Sequence, residues 1–174
     1  NHGLEMRGPD LGFVHSEAQQ LKEAVNRAHQ RLERELAHLT GAFTEHKGLS
    51  LTVHYRLTPE EDVDRVKEAV RVATGTLVES GSLIVSAGKK ALEVRPGVPW
   101  HKGHAISRLQ AAYPEAAPAL YFGDDLADEE GFAAVQRSGG IGVYVGAARE
   151  PTCAEYRVDS PSEVGAVLQL MSEL

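Results

Sequence analysis

Five carboxylate side chains stand within the seven residues 124–130, directly after the short apolar segment 119–122: Asp124, Asp125, Asp128, Glu129 and Glu130. Like charges this close repel one another unless a cation lies among them. Carboxylate oxygens suit Mg²⁺, which takes one or two of them together with water and phosphate oxygens. The segment therefore predicts a metal site that handles a phosphate group.

Acidic residues also collect in the first turn of a helix, where the backbone dipole favours negative charge. We interpret Glu129 and Glu130 in this way. Asp124 comes first after the apolar segment, and in open parallel sheets ligands bind beyond the carboxyl ends of the strands. We therefore expect Asp124 to bind the metal, while Asp125 and Asp128 are candidates for either role.

Lys102 is the cation that best complements this cluster. It lies between Trp100 and Gly103 at the predicted start of a helix, so its ammonium and the backbone N–H groups could both face an anion. The alternative is an isolated surface lysine. Together with Asp124, Lys102 predicts a phosphate site.

The elements upstream of these residues form one pattern. Ser16 with Gln19 indicates a helix start, and apolar residues at helical spacing extend the helix to near Gly41. Residues 49–57, LSLTVHYRL, alternate between apolar and polar side chains, which predicts a strand with one buried face. A second helix is expected to follow the cap pattern at Thr58.

The second helix is expected to end at Gly75. The segments SLIVS and KALEV predict a hairpin around Gly88, in which Glu93 faces away from Leu92 and Val94. Residues 13–95 are thus predicted to form a small α/β layer with an antiparallel sheet.

Beyond residue 96 helical and strand patterns alternate, which predicts a parallel sheet covered by helices. Ser160, Pro161 and Glu163 indicate the start of a terminal helix. Two or three strands leave a sheet edge open. Since the chain also begins at Asn1 rather than Met, we expect further sequence upstream to complete this sheet.

Composition excludes several classes of protein. The net charge of −7 argues against nucleic acid as a main partner. No uncharged run approaches the roughly 20 apolar residues of a membrane span. The single cysteine, Cys153, cannot form an internal disulfide and favours a reducing compartment, the cytoplasm.

Four segments together carry a family resemblance: EHKGLSLTVHYR, GKKALEVRP, WHKGHAI and YFGDDLADEEGF. Their order and approximate spacing resemble those of the trehalose-6-phosphate phosphatases in the haloacid-dehalogenase superfamily. The resemblance implies a Rossmann-like parallel core interrupted by a cap domain: residues 1–12 end the first half of the core, 13–95 form the cap and 96–174 form the second half. It also implies Mg²⁺-dependent hydrolysis of trehalose 6-phosphate, a small sugar phosphate.

The same resemblance implies roles for individual residues. Lys102 matches the lysine that steadies the nucleophile and the transferring phosphoryl group, and Asp124 matches the metal-binding acid. Glu45, Lys47 and Glu93 match cap residues that hydrogen-bond the sugar hydroxyls.

Two motifs of the family have no match in this chain: the second motif, a Ser or Thr, and the first, which supplies the nucleophile. The strand-borne Asp-x-Asp that supplies the nucleophile is absent, because Asp62 to Asp64 lie in a predicted helix, and we interpret them as helix surface. We expect the nucleophile upstream and these 174 residues alone to be inactive. The alternatives are a phosphatase for another sugar phosphate, such as sucrose phosphate, and a non-catalytic sugar-phosphate-binding protein.

Overall fold

The structure is a computed structural model that describes residues 2–116, 118–147 and 151–173. The chain divides into two compact units: residues 3–99 form the first unit, and residues 100–174 together with residue 2 form the second. In the described part of the chain, no helix has the length and apolar character needed to cross a membrane. The predicted division into residues 1–12, 13–95 and 96–174 stays a prediction.

The first unit contains a hairpin, a four-stranded sheet and three helices. The hairpin pairs β1 (Glu5–Gly8) with β2 (Leu11–Val14). The strands of the larger sheet are β3 (Phe43–His46), β4 (Leu51–His54), β5 (Leu83–Gly88) and β6 (Ala91–Pro96). They are antiparallel in the order β3-β4-β6-β5. The helices are α1 (Ser16–Gln20), α2 (Lys22–Leu36) and α3 (Val63–Glu79).

One face of the larger sheet and the apolar faces of α2 and α3 form the core of this unit. Leu51 and Val53 on β4 are fully buried there, together with Leu32 and Val66 from the helices. Side chains alternate along β4 as predicted, since Thr52 and His54 belong to the opposite face, but Thr52 is also buried, so the second face is not open along its whole length. The strand is shorter than residues 49–57, and Leu57 is 77% exposed beyond its end.

Three details of the first helical region differ from the sequence predictions. The first helix is interrupted at Leu21, whose φ of −88° and ψ of 1° leave helical geometry. His15 rather than Ser16 caps it, since His15 Nδ1 accepts from the N–H of Ala18 at 3.3 Å. The second part ends at Leu36, and Leu39 is buried by the turn that follows.

Gly75 does not end the second helix. It lies inside α3, which continues to Glu79 because Ala73, Thr74 and Leu77 pack that stretch against the core. A glycine inside a helix costs about 1 kcal/mol relative to alanine, which this burial offsets. The predicted hairpin of β5 and β6 is confirmed, with Lys90 at a φ of 60° in its turn.

The second unit alternates helices with parallel strands, as predicted. Its elements are α4 (Lys102–Ala112), β7 (Leu120–Gly123), α5 (Glu129–Arg137), β8 (Ile141–Val145), β9 (Tyr156–Val158) and α6 (Pro161–Ser172). The strands are parallel in the order β7-β8-β9. Phe132 and Val135 of α5 are buried and fix this helix to the unit. The α/β class is confirmed, with a parallel sheet in the second unit and the predicted antiparallel sheet in the first.

Candidate functional site

The start of α4 places Lys102. His101 precedes the helix, and its Nδ1 accepts from the N–H of Gly103 at 3.1 Å, while His104 Nδ1 accepts from the N–H of His101 at 3.3 Å. This reciprocal capping makes Lys102 the first helical residue. The Gly103 N–H is therefore bonded within the chain and does not face an anion as the sequence suggested.

Asp128 is the centre of the hydrogen bonds around Lys102. It is only 4% exposed, in the short turn between β7 and α5. Its Oδ1 accepts from Lys102 Nζ at 2.6 Å and from the Tyr121 hydroxyl at 2.5 Å. Its Oδ2 accepts from the backbone N–H groups of Asp124 at 3.1 Å and Asp125 at 3.2 Å. One buried carboxylate thus joins the lysine to the start of the acidic turn.

Electrostatics fix the protonation states in this cluster. Burial by itself raises the pKa of Asp128, but hydrogen bonds from Lys102 and Tyr121 outweigh burial and hold that pKa below its ordinary value. Burial and the bond to Asp128 raise the pKa of Tyr121 well above its ordinary value. At neutral pH Asp128 is therefore an anion, and Tyr121 is a neutral phenol that donates to it.

Asp124 follows β7 directly, at the carboxyl end of a parallel strand. Its backbone carbonyl accepts from the Tyr144 hydroxyl at 3.3 Å, and its N–H donates to Asp128. Among the described residues no donor contacts its carboxylate, which is exposed to solvent. Asp125 instead uses its carboxylate to cap the turn, accepting from the N–H of Leu126 at 2.6 Å.

Of the three carboxylates in this turn, that of Asp124 fits Mg²⁺ best. In residues 2–116, 118–147 and 151–173, no group of three or more His, Cys, Asp or Glu is arranged to hold a metal. Mg²⁺ needs only one or two protein carboxylates and keeps several waters, so the free carboxylate of Asp124 matches its chemistry. The oxygens of Asp128 are engaged by protein donors. The metal-binding roles of Asp124, Asp125 and Asp128 stay predictions.

The residues Asp62 to Asp64 lie at the start of a helix, as predicted. Asp62 pairs with Arg65 at 2.6 Å, and Asp64 pairs with Lys67 at 3.0 Å. Both are ion pairs between neighbouring turns, and the Asp64 side chain is 92% exposed. This Asp-x-Asp is therefore not at the end of a strand.

In the first unit, the carboxylate of Glu45 on β3 contacts the side chains of His54 and Lys47. Its Oε2 is 2.9 Å from His54 Nε2 and 3.4 Å from Lys47 Nζ. The hydrogen bond to His54, followed by the charge of Lys47, lowers the pKa of Glu45. The His54 ring stacks on the exposed ring of Phe43, with centroids 4.8 Å apart. Glu45 and Lys47, predicted to act together, are therefore in contact.

Glu93 lies on the same face of the sheet as Glu45. Thr52 of β4 pairs with Glu45 on one side and with Glu93 on the other, and Ser86 of β5 pairs with Glu93. Directly opposed residues share a face, so these four residues form a polar row across the sheet. With strands about 4.8 Å apart, the backbones at Glu45 and Glu93 are roughly 10 Å apart.

Two residues of these clusters were not singled out from the sequence. Tyr121 is one of four apolar residues in a strand pattern, and no spacing rule places its hydroxyl on Asp128. His54 was assigned to the polar face of its strand, but its bond to Glu45 depends on the unpredicted strand β3. A prediction of β3 would have brought Glu45 close to His54, because the short turn between β3 and β4 implies an antiparallel hairpin.

Comparisons with known proteins agree with these features. A model of the family described as trehalose-phosphatase matches residues 1–162. Probable trehalose-phosphate phosphatase D of Arabidopsis thaliana is 30% identical over 187 residues, covering 99% of this chain and 50% of that protein. The chain spans about half the length of the curated plant relatives it matches.

Solved structures share the fold. The C-terminal domain of the trehalose-6-phosphate phosphatase of C. albicans aligns with a TM-score of 0.69 and 23% identity, covering 87% of this chain and 62% of that one. A haloacid dehalogenase-like hydrolase from Bacteroides thetaiotaomicron aligns with a TM-score of 0.50 and 19% identity, covering 72% and 44%. The α/β fold is thus of the haloacid-dehalogenase kind.

Proposed function

The chain belongs to the trehalose-phosphatase family, and from this premise we propose that it takes part in the Mg²⁺-dependent hydrolysis of trehalose 6-phosphate to trehalose and phosphate. The observation that carries the proposal is the pair of Lys102 and buried Asp128 beside the exposed carboxylate of Asp124. A lysine and a carboxylate-held cation are the groups that offset the charge of a transferring phosphoryl group.

Each residue of this cluster has a distinct proposed part. Lys102 binds a phosphate oxygen, and Asp124 offers a hard oxygen ligand to Mg²⁺, which when bound supplies positive charge close to the phosphoryl group. Asp128 keeps Lys102 in place through the 2.6 Å ion pair. Asp125 shapes the turn that presents Asp124 and is the second candidate ligand.

In the proposed reaction none of Lys102, Asp124, Asp125 and Asp128 acts as the nucleophile. The chain's Asp62-x-Asp64 occupies a helix start with both carboxylates in ion pairs, which supports its assignment as helix surface. We therefore propose that the 174 residues alone hydrolyse no phosphate ester, and that an upstream aspartate performs the attack in the full-length protein.

The polar row of the first unit supports a role in holding the sugar. Carboxylates accept hydrogen bonds from hydroxyls, and an ammonium donates to them. We propose that Glu45, Lys47 and Glu93 bind the hydroxyls of trehalose 6-phosphate, with His54 orienting Glu45 through its 2.9 Å contact. The Lys47–Glu45 pair is partly exposed, so its contribution to stability is small.

The test uses the full-length protein. Phosphate release is measured from trehalose 6-phosphate, sucrose 6-phosphate and p-nitrophenyl phosphate, each with Mg²⁺ and with EDTA. We expect Mg²⁺-dependent release that is fastest from trehalose 6-phosphate. Faster turnover of sucrose 6-phosphate would assign another substrate, and sugar-phosphate binding without release would indicate a binding protein.

We also propose a cytoplasmic location. Cys153 is a free, exposed thiol, which is typical of a reducing compartment. Fractionation of cells with an antibody against the chain tests this, and recovery outside the cytoplasmic fraction would contradict it.

A further inference from the structure

We propose that Tyr121 is a positioning residue for Lys102, acting through the carboxylate oxygen of Asp128 that both side chains contact. The inference rests on the proposed function and adds to it a residue whose hydroxyl donates to Asp128. Its effect is to hold the Asp128 carboxylate, and with it the lysine ammonium, in one orientation.

The shared oxygen is the basis of this inference. Asp128 Oδ1 lies 2.5 Å from the Tyr121 hydroxyl and 2.6 Å from Lys102 Nζ. Oδ2 is held by two backbone N–H groups, so four donors fix the plane of the carboxylate. Without the phenol, Oδ1 would be held only by an ammonium on a flexible four-carbon side chain that is 31% exposed. The lysine would then take several positions.

The phenol itself is held rigidly. Its ring meets the ring of Phe132 edge to face, with centroids 5.6 Å apart, and packs against the buried cluster of Ile106, Ala134 and Val135. A tyrosine ring loses little freedom on burial because only two side-chain torsions are ordered. Tyr121 is therefore a fixed donor that can orient a more mobile partner.

Two glycines leave space for this pair of side chains. A Cβ at Gly131 would lie 2.4 Å from Cε1 of Tyr121, and a Cβ at Gly123 would lie 2.4 Å from Cβ of Asp128. Neither contact is possible without displacement of the ring or of the carboxylate. The backbone of α5 and of the end of β7 is thus shaped around the Tyr121–Asp128 contact.

The test compares Tyr121→Phe with wild type in the full-length protein. Tyr156→Phe is the matched control, because it removes the same atom from a ring that is 62% exposed on β9. Two readouts are needed: steady-state kinetics on trehalose 6-phosphate, and the rate at which acetic anhydride acylates Lys102, measured by peptide mass spectrometry against Lys22 as internal reference.

For Tyr121→Phe we expect kcat to fall about tenfold with KM within about twofold, because the lysine is misplaced during the chemical step rather than during sugar binding. Acylation of Lys102 should become about threefold faster or more, since its ammonium is less firmly held. Tyr156→Phe should match wild type in both measurements.

Gly131→Ala is a second way to remove the Tyr121 hydroxyl from its contact with Asp128. Its Cβ must push the Tyr121 ring away, so it should lower kcat and raise Lys102 acylation as Tyr121→Phe does. The double variant should be no worse than the more impaired single variant, because both act on one contact. Additive losses in kcat would overturn the inference.

The remaining outcomes separate this inference from the proposed function. Unchanged acylation of Lys102 in folded Tyr121→Phe overturns it, even if the melting temperature or kcat falls, because Tyr121 would then only support the fold. In an active enzyme, a kcat within twofold of wild type also overturns it. If the wild type releases no phosphate from trehalose 6-phosphate, the proposed function fails, and the acylation rates alone decide whether Tyr121 positions Lys102.

Discussion

Replacing Asp128 by asparagine is the most direct perturbation of the second unit. The substitution keeps the size of the side chain and one acceptor oxygen, but it places an NH₂ group where the other oxygen accepted hydrogen bonds. The wild-type carboxylate has two donors on each oxygen. Two of the four donors therefore face another donor in Asp128→Asn, whichever way the amide turns.

The magnitude follows from those two lost bonds. A hydrogen bond to a charged group contributes about 1.5–3 kcal/mol, so two of them amount to roughly 3–6 kcal/mol. Lys102 is 31% exposed and regains water, which favours the lower end. We expect Asp128→Asn to lower the free energy of unfolding by about 3 kcal/mol, in line with the loss of one partner of a buried ion pair.

Urea unfolding of the full-length protein, followed by circular dichroism, measures this change. Asp64→Asn is the matched control, since it makes the same chemical change in an ion pair whose carboxylate is 92% exposed, and it should have a much smaller effect. A loss for Asp128→Asn as small as that of the control would refute the assigned hydrogen bonds.

The pH dependence gives an independent check. The pKa of Asp128 is lower in the folded state, so its contribution to stability is present above the ordinary aspartate pKa of about 3.9 and is lost as pH falls through the folded pKa. The difference in stability between wild type and Asp128→Asn should therefore be constant from about pH 5 to pH 8 and shrink below about pH 4. A difference that persists unchanged at lower pH would contradict the assigned shift.

Three further predictions concern the full-length protein. Gly123→Ala should lower the free energy of unfolding by about 2 kcal/mol or more, because its Cβ would lie 2.4 Å from the buried Asp128 side chain. Gly75→Ala should raise that free energy by about 0.5–1 kcal/mol, because the space beside Gly75 in α3 is open. Thermal unfolding of the two variants measures both changes. Asp124→Asn should abolish Mg²⁺-dependent phosphate release, and near-normal metal dependence would reject Asp124 as a ligand. Lys47→Ala and Glu93→Ala should lower kcat/KM for trehalose 6-phosphate strongly but leave hydrolysis of p-nitrophenyl phosphate nearly unchanged, and equal losses on both substrates would mean that they support the fold.

The second unit was predictable from sequence because its elements carry unambiguous local signals. The apolar strand before Asp124 and the helix start at Lys102 each depend on a few adjacent residues, and both are confirmed. The contact between Lys102 and Asp128 was not predictable, because it joins residues 26 positions apart through the packing of two helices. Spacing along the chain indicates which groups are present but not which oxygen each donor reaches.

The first unit shows where tertiary packing overrides local signals. Gly75 is a helix-ending residue by propensity, yet the buried side chains around it carry α3 on to Glu79. Strand β3, Phe43 to His46, is largely exposed and lacks the apolar alternation that identifies β4, so its pairing with β4 alone defines it. The sequence therefore predicted that Glu45 and Lys47 could act together, but not the contact of Glu45 with His54.

The alternation of side chains along β4 has a consequence for protein engineering. Leu51 and Val53 belong to the buried face, whereas His54 belongs to the face that carries Glu45 and Glu93. If this second face binds the sugar as proposed, point substitutions at its exposed positions would change ligand preference without rebuilding the interior. A one-residue insertion or deletion within the strand would exchange the two sets and spoil both at once. Changes of chain length in a design library therefore belong in the turns, and changes of side chain belong at every second position of the strands.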